Sequence, residues 1–205
     1  MSGREEASAE RRAAILTAAL AVIAERGLHT TTINDIRQRS GASVGSIYHH
    51  FGDRAGLFYA LYVESLGDCF AFLLENLKAC DSAQAGIFAL VKSYLDWVEA
   101  NPQEAAFIYE ASQGDLLRAY QEEIFAFKTN FYGKAFAWML PFIQKGDLIK
   151  LPPWAYDAIV LGPAHEFARR WLGGLRELPM AEACDIIARA VWRAIQPETA
   201  VTRPT

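Results

Sequence analysis

Histidine, tyrosine, serine and arginine crowd into one short stretch of this chain, SGASVGSIYHHFGDRAGL, from Ser40 to Leu57. Side chains of these types transfer protons, hold metals or grip anions. A metal site is the first chemistry to test. His49 and His50 are adjacent, so on a helix they point about 100° apart and cannot chelate one ion together. His165-Glu166 lacks the second histidine of H-E-x-x-H, and no histidine follows a glutamate by three positions, as a helical di-iron site needs. Gly41 to Gly45 reads G-x-S-x-G, but with no strand pattern before it this is not a nucleophile elbow, and the chain holds neither a G-x-x-x-x-G-K-[ST] loop nor a G-x-G-x-x-G turn. We therefore expect no catalytic residue, no metal, no cofactor and no enzymatic activity. What remains for the stretch is contact.

The elements that carry it are helical. Ala14, Ile15, Ala18, Ala19, Val22 and Ile23 repeat at helical spacing between Ser8 and Arg26, and Gly27 stops the run. Thr32-Ile-Asn-Asp35 reads as a capping box that opens a short helix ending at Gly41. Ser43 can cap the next helix, which turns Ile47 and Phe51 inward. Helices this short are marginal alone and must dock on one another. Ser43, Val44, Ser46, Tyr48 and His49 are left facing outward. A short helix, a three-residue turn and a second short helix is the helix-turn-helix plan, and it is equally the plan of an ordinary helical hairpin.

Beyond Arg54 the helices lengthen. Leu57–Leu77, Ser82–Ala100, an aromatic run over Tyr120–Gln144, Ala155–Leu172 and Met180–Ile195 are expected, with kinks at Gly133 and Pro141 and breaks at Leu151-Pro-Pro153 and Gly173-Gly174. No strand alternation or repeat interrupts them. The fold class is all-α: an N-terminal three-helix helix-turn-helix domain over residues 1–53, a larger helical domain over 54–197, and a flexible tail over 198–205.

Of 205 residues, 52% are hydrophobic and 21% charged, the balance of a folded globular protein. The net charge of -4 argues against a polyanion partner, but its distribution is uneven. Residues 1–55 carry seven Arg against six acids, so the acidic excess lies in the remainder. Three scattered cysteines suit a reducing compartment. The polar N-terminus is unlike a signal peptide, and no apolar run is expected to span a membrane. The expected location is the cytoplasm, with no membrane partner.

Residues Thr30 to Leu61, TTTINDIRQRSGASVGSIYHHFGDRAGLFYAL, resemble the DNA-binding signature of TetR-family transcriptional regulators. The matching features are the Thr before the first Ile, the Gly-x-Ser turn, the apolar-Tyr-x-His-Phe run and the Asp-basic-x-x-Leu opening of the fourth helix. The resemblance implies that Thr32 and Ser43 cap the two helices, with Thr32 also in reach of a phosphate. It implies that Tyr48 and His50 contact the DNA backbone, and that Val44, Gly45, Ser46 and His49 face base edges. Arg54 stands where Lys is usual and would touch a phosphate. Three departures stand out: Val44 replaces a usual Lys or Arg, while Arg37 and Ser40 replace usual Ala. With the weak positive balance, they imply modest affinity and a shallow salt dependence.

Twenty-three of the 25 aromatic residues lie beyond residue 55. They make either an ordinary core or, as the resemblance implies, the wall of an effector cavity. Phe107, Phe131 and Trp138 are its expected apolar residues, and Glu110, Gln113, Asn130 and His165 its expected polar ones. The last two helices are apolar on more than one side. Leu161, Ala164, Ala168, Trp171, Ile187, Ala190, Val191 and Ala194 would form the family's four-helix homodimer interface.

The function expected is that of a dimeric transcriptional regulator, a repressor released from a palindromic double-stranded DNA operator by a small apolar or aromatic effector. The helix from Arg54 to Leu77 would carry the signal. The alternative is a dimeric small-molecule-binding helical protein that has lost DNA reading.

Overall fold

The computed structural model describes residues 3–197; the expected tail over 198–205 lies outside them. Ten α-helices and one 3₁₀ turn, with no strand, make up the described residues. In chain order they are α1 (Gly3–Arg26), α2 (Ile33–Ser40), α3 (Val44–Phe51), α4 (Arg54–Lys78), α5 (Ala83–Ala100) and α6 (Pro102–Gln113). The 3₁₀ turn (Asp115–Tyr120), α7 (Gln121–Lys145), α8 (Pro153–Val160), α9 (Gly162–Leu172) and α10 (Met180–Ile195) complete the chain. The all-α expectation holds.

One boundary differs from expectation. The helix foreseen over 155–172 is two helices, α8 and α9, divided at Leu161. Pro163 has no N–H to give to a preceding carbonyl and fits only the first turn of a helix, so α9 starts anew there. By contrast, Pro141 sits inside α7 without ending it. α4 corrects a second expectation, because it is long and apolar enough by length and composition to cross a membrane. Its Leu57, Phe58, Leu61, Tyr62, Leu66, Leu73 and Leu77 are buried within the protein, and core helices are apolar for that reason.

Compactness groups the chain differently from a cut at residue 53. One unit runs to Asp68 and includes Asn101–Ala126; the other takes Cys69–Ala100 and the chain from Phe127 onward. In the first unit, Ile15, Ala19, Ile36, Ile47, Leu57 and Phe58 are essentially inaccessible and form the core where α1 to α4 meet. α6 packs on α1 in the same unit. Its Phe107 is buried between Phe58 and Tyr62, with ring centroids 6.5 Å from each. That contact brings α6 into the N-terminal unit, although a long stretch of sequence intervenes.

The second unit is organised on α5, whose Ile87, Val91, Leu95 and Val98 are fully buried and which packs along α10. Gly86 lets α7 approach closely: a Cβ there would lie 1.9 Å from Cη2 of Trp138. Tyr156 ties down the loop after α7. Its hydroxyl donates to the Ile149 carbonyl at 2.5 Å and accepts from the Leu151 amide at 3.2 Å.

Candidate nucleic-acid interface and ligand chamber

The capping box on α2 is complete. The Thr32 amide donates to Asp35 Oδ2 at 2.9 Å, and the Asp35 amide donates to Thr32 Oγ1 at 3.2 Å. The Thr32 hydroxyl also donates to Asp35 Oδ2, at 2.6 Å. These hydrogen bonds, then the Arg26 charge, hold the Asp35 carboxyl below its ordinary pKa. α2 ends at Gly41, whose φ of 69° is in the left-handed region that a side chain disfavours. Ser43 Oγ then accepts from the Ser46 amide at 3.1 Å and opens α3.

On α3 the inward and outward faces separate as the helical period requires. Ile47 and Phe51 are buried; Val44, Tyr48 and His49 are exposed, with Val44 and Tyr48 at 40% and 45%. Ser43 and Gly45 are exposed as well, and Ser46 and His50 are half-buried. Thr32 stays at the surface on α2's cap. The module therefore presents hydroxyls, imidazoles and one apolar side chain along a single short helix. Burial, followed by the charges of His49, Arg12 and Arg11, holds His50 below its usual pKa. Arg11 and Arg12 on α1 thus contribute to the field beside α3, a juxtaposition that spacing along the chain does not reveal.

Arg54 is placed otherwise than expected. Its Nε donates to the Thr31 carbonyl at 3.1 Å, its Nη2 to the Leu28 carbonyl at 2.9 Å, and its guanidinium lies 4.7 Å from the Phe58 ring centroid. It clamps the α1–α2 turn onto α4, so its guanidinium has internal partners in addition to the phosphate expected of it. The amino terminus of α4 is instead capped by Asp53, whose Oδ1 accepts from the Gly56 amide at 2.7 Å. Arg37 is half-buried, and its Nε donates to Asn34 Oδ1 at 3.0 Å on the same helix. Arg12, Arg26 and Arg39 form surface ion pairs with Glu64, Asp35 and Glu25. Pairs this exposed are worth at most about 1 kcal/mol and exchange readily for another anion.

The expected effector residues are divided between the two units. Phe107, Glu110 and Gln113 belong to the first unit, with Phe107 sealed in its core and the other two exposed. Phe131, Trp138 and His165 belong to the second. Trp138 lies over Gly86 and near Phe142, and the His165 ring meets Tyr94 edge-on at 4.5 Å. Burial, aided by the Lys128 charge, lowers the His165 pKa to about 4. Asn130 is exposed.

Of the seven, only Phe131 lines the apolar cavity of the second unit, where it stacks on Phe70 with centroids 3.7 Å apart. The cavity is small, about 30 Å³, and is walled by Leu90, Phe131, Tyr132, Phe136, Met139 and Tyr156 among others. Asp157 also lines it. Sequence reasoning passed over this residue, although it is the one acid in the apolar run from Trp154 to Leu161.

The expected dimer residues divide. Leu161, Ala164, Ala168, Trp171 and Val191 are buried within their own unit, so they are corrected to core positions. Arg176 covers Trp171, 3.4 Å from its ring centroid. Ala190 and Ala194 are exposed, Ile187 is half-buried, and the neighbouring Ile186 is 50% exposed. Among the described residues, no three His, Cys, Asp or Glu gather where they could hold a metal ion.

Residues 15–61 match the family described as bacterial regulatory proteins, tetR family. Over 100 residues, 49% of this chain, the sequence is 32% identical to the HTH-type transcriptional repressor KstR2 of Rhodococcus jostii, covering 48% of that protein. The HTH-type transcriptional activator FasR of Mycolicibacterium smegmatis is 27% identical over 101 residues, 49% of this chain and 46% of its own length. The chain thus spans about half the length of the curated relatives it matches. Among solved structures, a TetR family transcription regulator from Marinobacter aquaeolei superposes with a TM-score of 0.74 at 15% identity, over 95% of this chain and 99% of that one. FadR from Bacillus subtilis, solved in complex with stearoyl-CoA, superposes with a TM-score of 0.75 at 20% identity, over 87% of this chain and 96% of its own. These likenesses establish a common fold.

Proposed function

We propose that this chain, a member of the tetR family of bacterial regulatory proteins, is a cytoplasmic, dimeric, DNA-binding transcriptional regulator, a repressor released from a palindromic operator by a small apolar effector. One observation carries the reading: α3 buries Ile47 and Phe51 and leaves Val44, Tyr48 and His49 outward on a helix capped at both ends. A helix so presented can enter a major groove amino-terminus first.

In this reading Tyr48 and His50 meet the DNA backbone, and Ser43, Val44, Gly45, Ser46 and His49 face base edges. Thr32 lies near a phosphate, and Arg11 on α1 joins it. Two α3 helices of a dimer would lie about 34 Å apart to reach successive grooves. The exposed face of α10 at Ile186, Ala190 and Ala194 is the pairing surface, since it keeps apolar side chains in solvent. The effector would occupy the cavity beside Phe131 and act through α4, which has residues in both units. A neighbour of the same fold bound to stearoyl-CoA supports a small-molecule role for this architecture. Coupling of about 1–3 kcal/mol suffices for release. The relatives include a repressor and an activator, and the repressor is the more identical of the two over its match.

A second reading, a ligand-binding dimer without DNA reading, is favoured by the apolar Val44 and by the internal use of Arg54. Selection of bound duplexes from a random DNA library separates the two. An enriched inverted repeat supports the regulator. A folded protein that enriches nothing, even after unfolding, washing and refolding to remove carried ligand, supports the alternative.

A further inference from the structure

The cavity of the second unit is mostly apolar, and Asp157 is the one ionisable carboxylate in its lining. One carboxylate oxygen of Asp157, Oδ1, is buried and has no hydrogen-bond partner among the described residues. Tyr132 hydrogen-bonds to the same carboxylate, and the Lys128 charge acts on it; both oppose the rise in pKa that burial causes. A buried acceptor left without a donor costs more than a hydrogen bond normally returns, so such atoms await a partner. The cavity that Asp157 lines holds about 30 Å³ of open space, the room of a hydroxyl or a water. The surrounding wall is mostly apolar, with Leu90, Phe131 and Phe136 in it; the Tyr132 hydroxyl is engaged by Asp157 and the Tyr156 hydroxyl by the loop after α7, and the pliable Met139 can yield to admit a ligand.

Resting on the reading of this cavity as the effector site, we infer that the effector is an apolar molecule presenting one neutral hydrogen-bond donor, a hydroxyl or N–H, to Asp157 Oδ1. A carboxylate ligand would set like charges against each other in a desolvated place. A cationic ligand would meet Lys128, whose charge already acts on Asp157. A neutral donor answers the orphan oxygen without either conflict, and a site built around a buried acceptor discriminates strongly against a ligand lacking the donor.

Three probes of one shape test this: 4-ethylphenol, its methyl ether 4-ethylanisole, and 4-ethylbenzoate. Each is titrated calorimetrically into the full-length protein, and each is added to its complex with the duplex recovered by selection. The phenol should bind about 10–100-fold more tightly than the ether, and the benzoate should not bind. In Asp157→Leu the preference for phenol over ether should vanish. In Asp157→Asn, which places an amide donor there, the benzoate should gain affinity; this variant serves if the leucine variant does not fold. Equal binding of phenol and ether to the unaltered protein overturns the inference while leaving the cavity as a ligand site. Binding of neither overturns the inference. Preferential phenol binding that leaves the DNA complex intact upholds the inference and overturns release by this cavity.

Discussion

The ring of Tyr120 lies flat on the ring of Tyr59, with centroids 4.3 Å apart and planes 7° from parallel. Tyr59 is on α4 and Tyr120 closes the 3₁₀ turn after α6, so the stack fastens that turn to the unit that carries α3. An aromatic pair contributes about 0.5–1.5 kcal/mol beyond the area it buries. Tyr120→Ala should therefore lower the urea midpoint of the first unit, and Tyr120→Leu, which restores apolar contact without stacking, should recover only part of it. Full recovery with leucine would assign the effect to burial alone.

Gly56 follows from the same packing. A Cβ at this position would lie 2.1 Å from the Phe51 carbonyl oxygen, which is backbone and cannot swing away. Gly56→Ala should displace the end of α3 against α4, costing about 1–3 kcal/mol or more and weakening DNA binding at temperatures where the fold survives. Unchanged thermal unfolding would show that the α3–α4 junction tolerates the displacement.

Tyr48→Phe should weaken binding to all duplexes by a similar factor, because a backbone contact carries no base information. A changed sequence preference in repeated selection would place the phenol on a base. Val44→Lys should raise affinity and steepen the salt dependence by about one unit of slope, by adding one phosphate contact.

Histidine burial sets a pH dependence of known sign. His165 has a folded pKa of about 4 against an ordinary value of 6.5, so the folded protein holds the neutral form. The group's contribution is fully present above pH 6.5 and is lost as pH falls towards 4. His50 is lowered too, and adds a slope of the same sign. Chemical unfolding between pH 7 and 4.5 should show falling stability, and His165→Phe should flatten most of it. An unaltered slope in that variant would move the titration to other groups.

Pairing through α10 predicts a contrast between two substitutions. Ile186→Arg, on the exposed face, should give a folded monomer in sedimentation. Trp171→Glu should instead unfold the second unit, because this ring is 7% exposed beneath Arg176. A dimer persisting in Ile186→Arg at micromolar concentration would place the interface elsewhere.

The residues of α2 and α3 were legible in the sequence because each signal there is local. The Thr32–Asp35 box, Gly41, Ser43 and the Ile47–Phe51 spacing act within one or two turns, and the structure reproduces them all. Reading failed where a side chain's task depends on a distant element. Arg54 looks the same in sequence whether or not it reaches the Leu28 carbonyl, and only the docking of α1 and α2 on α4 brought the two together. Likewise, small and apolar residues on α9 and α10 suit a monomer core and a dimer seam equally. The packing of α5 against both helices settled Ala164, Ala168 and Val191 as core. Periodicity by itself determined which residues form helices and which face of α3 is polar, since those follow from a 3.6-residue repeat. Only the tertiary structure decided what each face meets, and so isolated Asp157 Oδ1 as a buried acceptor: burial is set by elements far apart in the chain, and no local pattern encodes it.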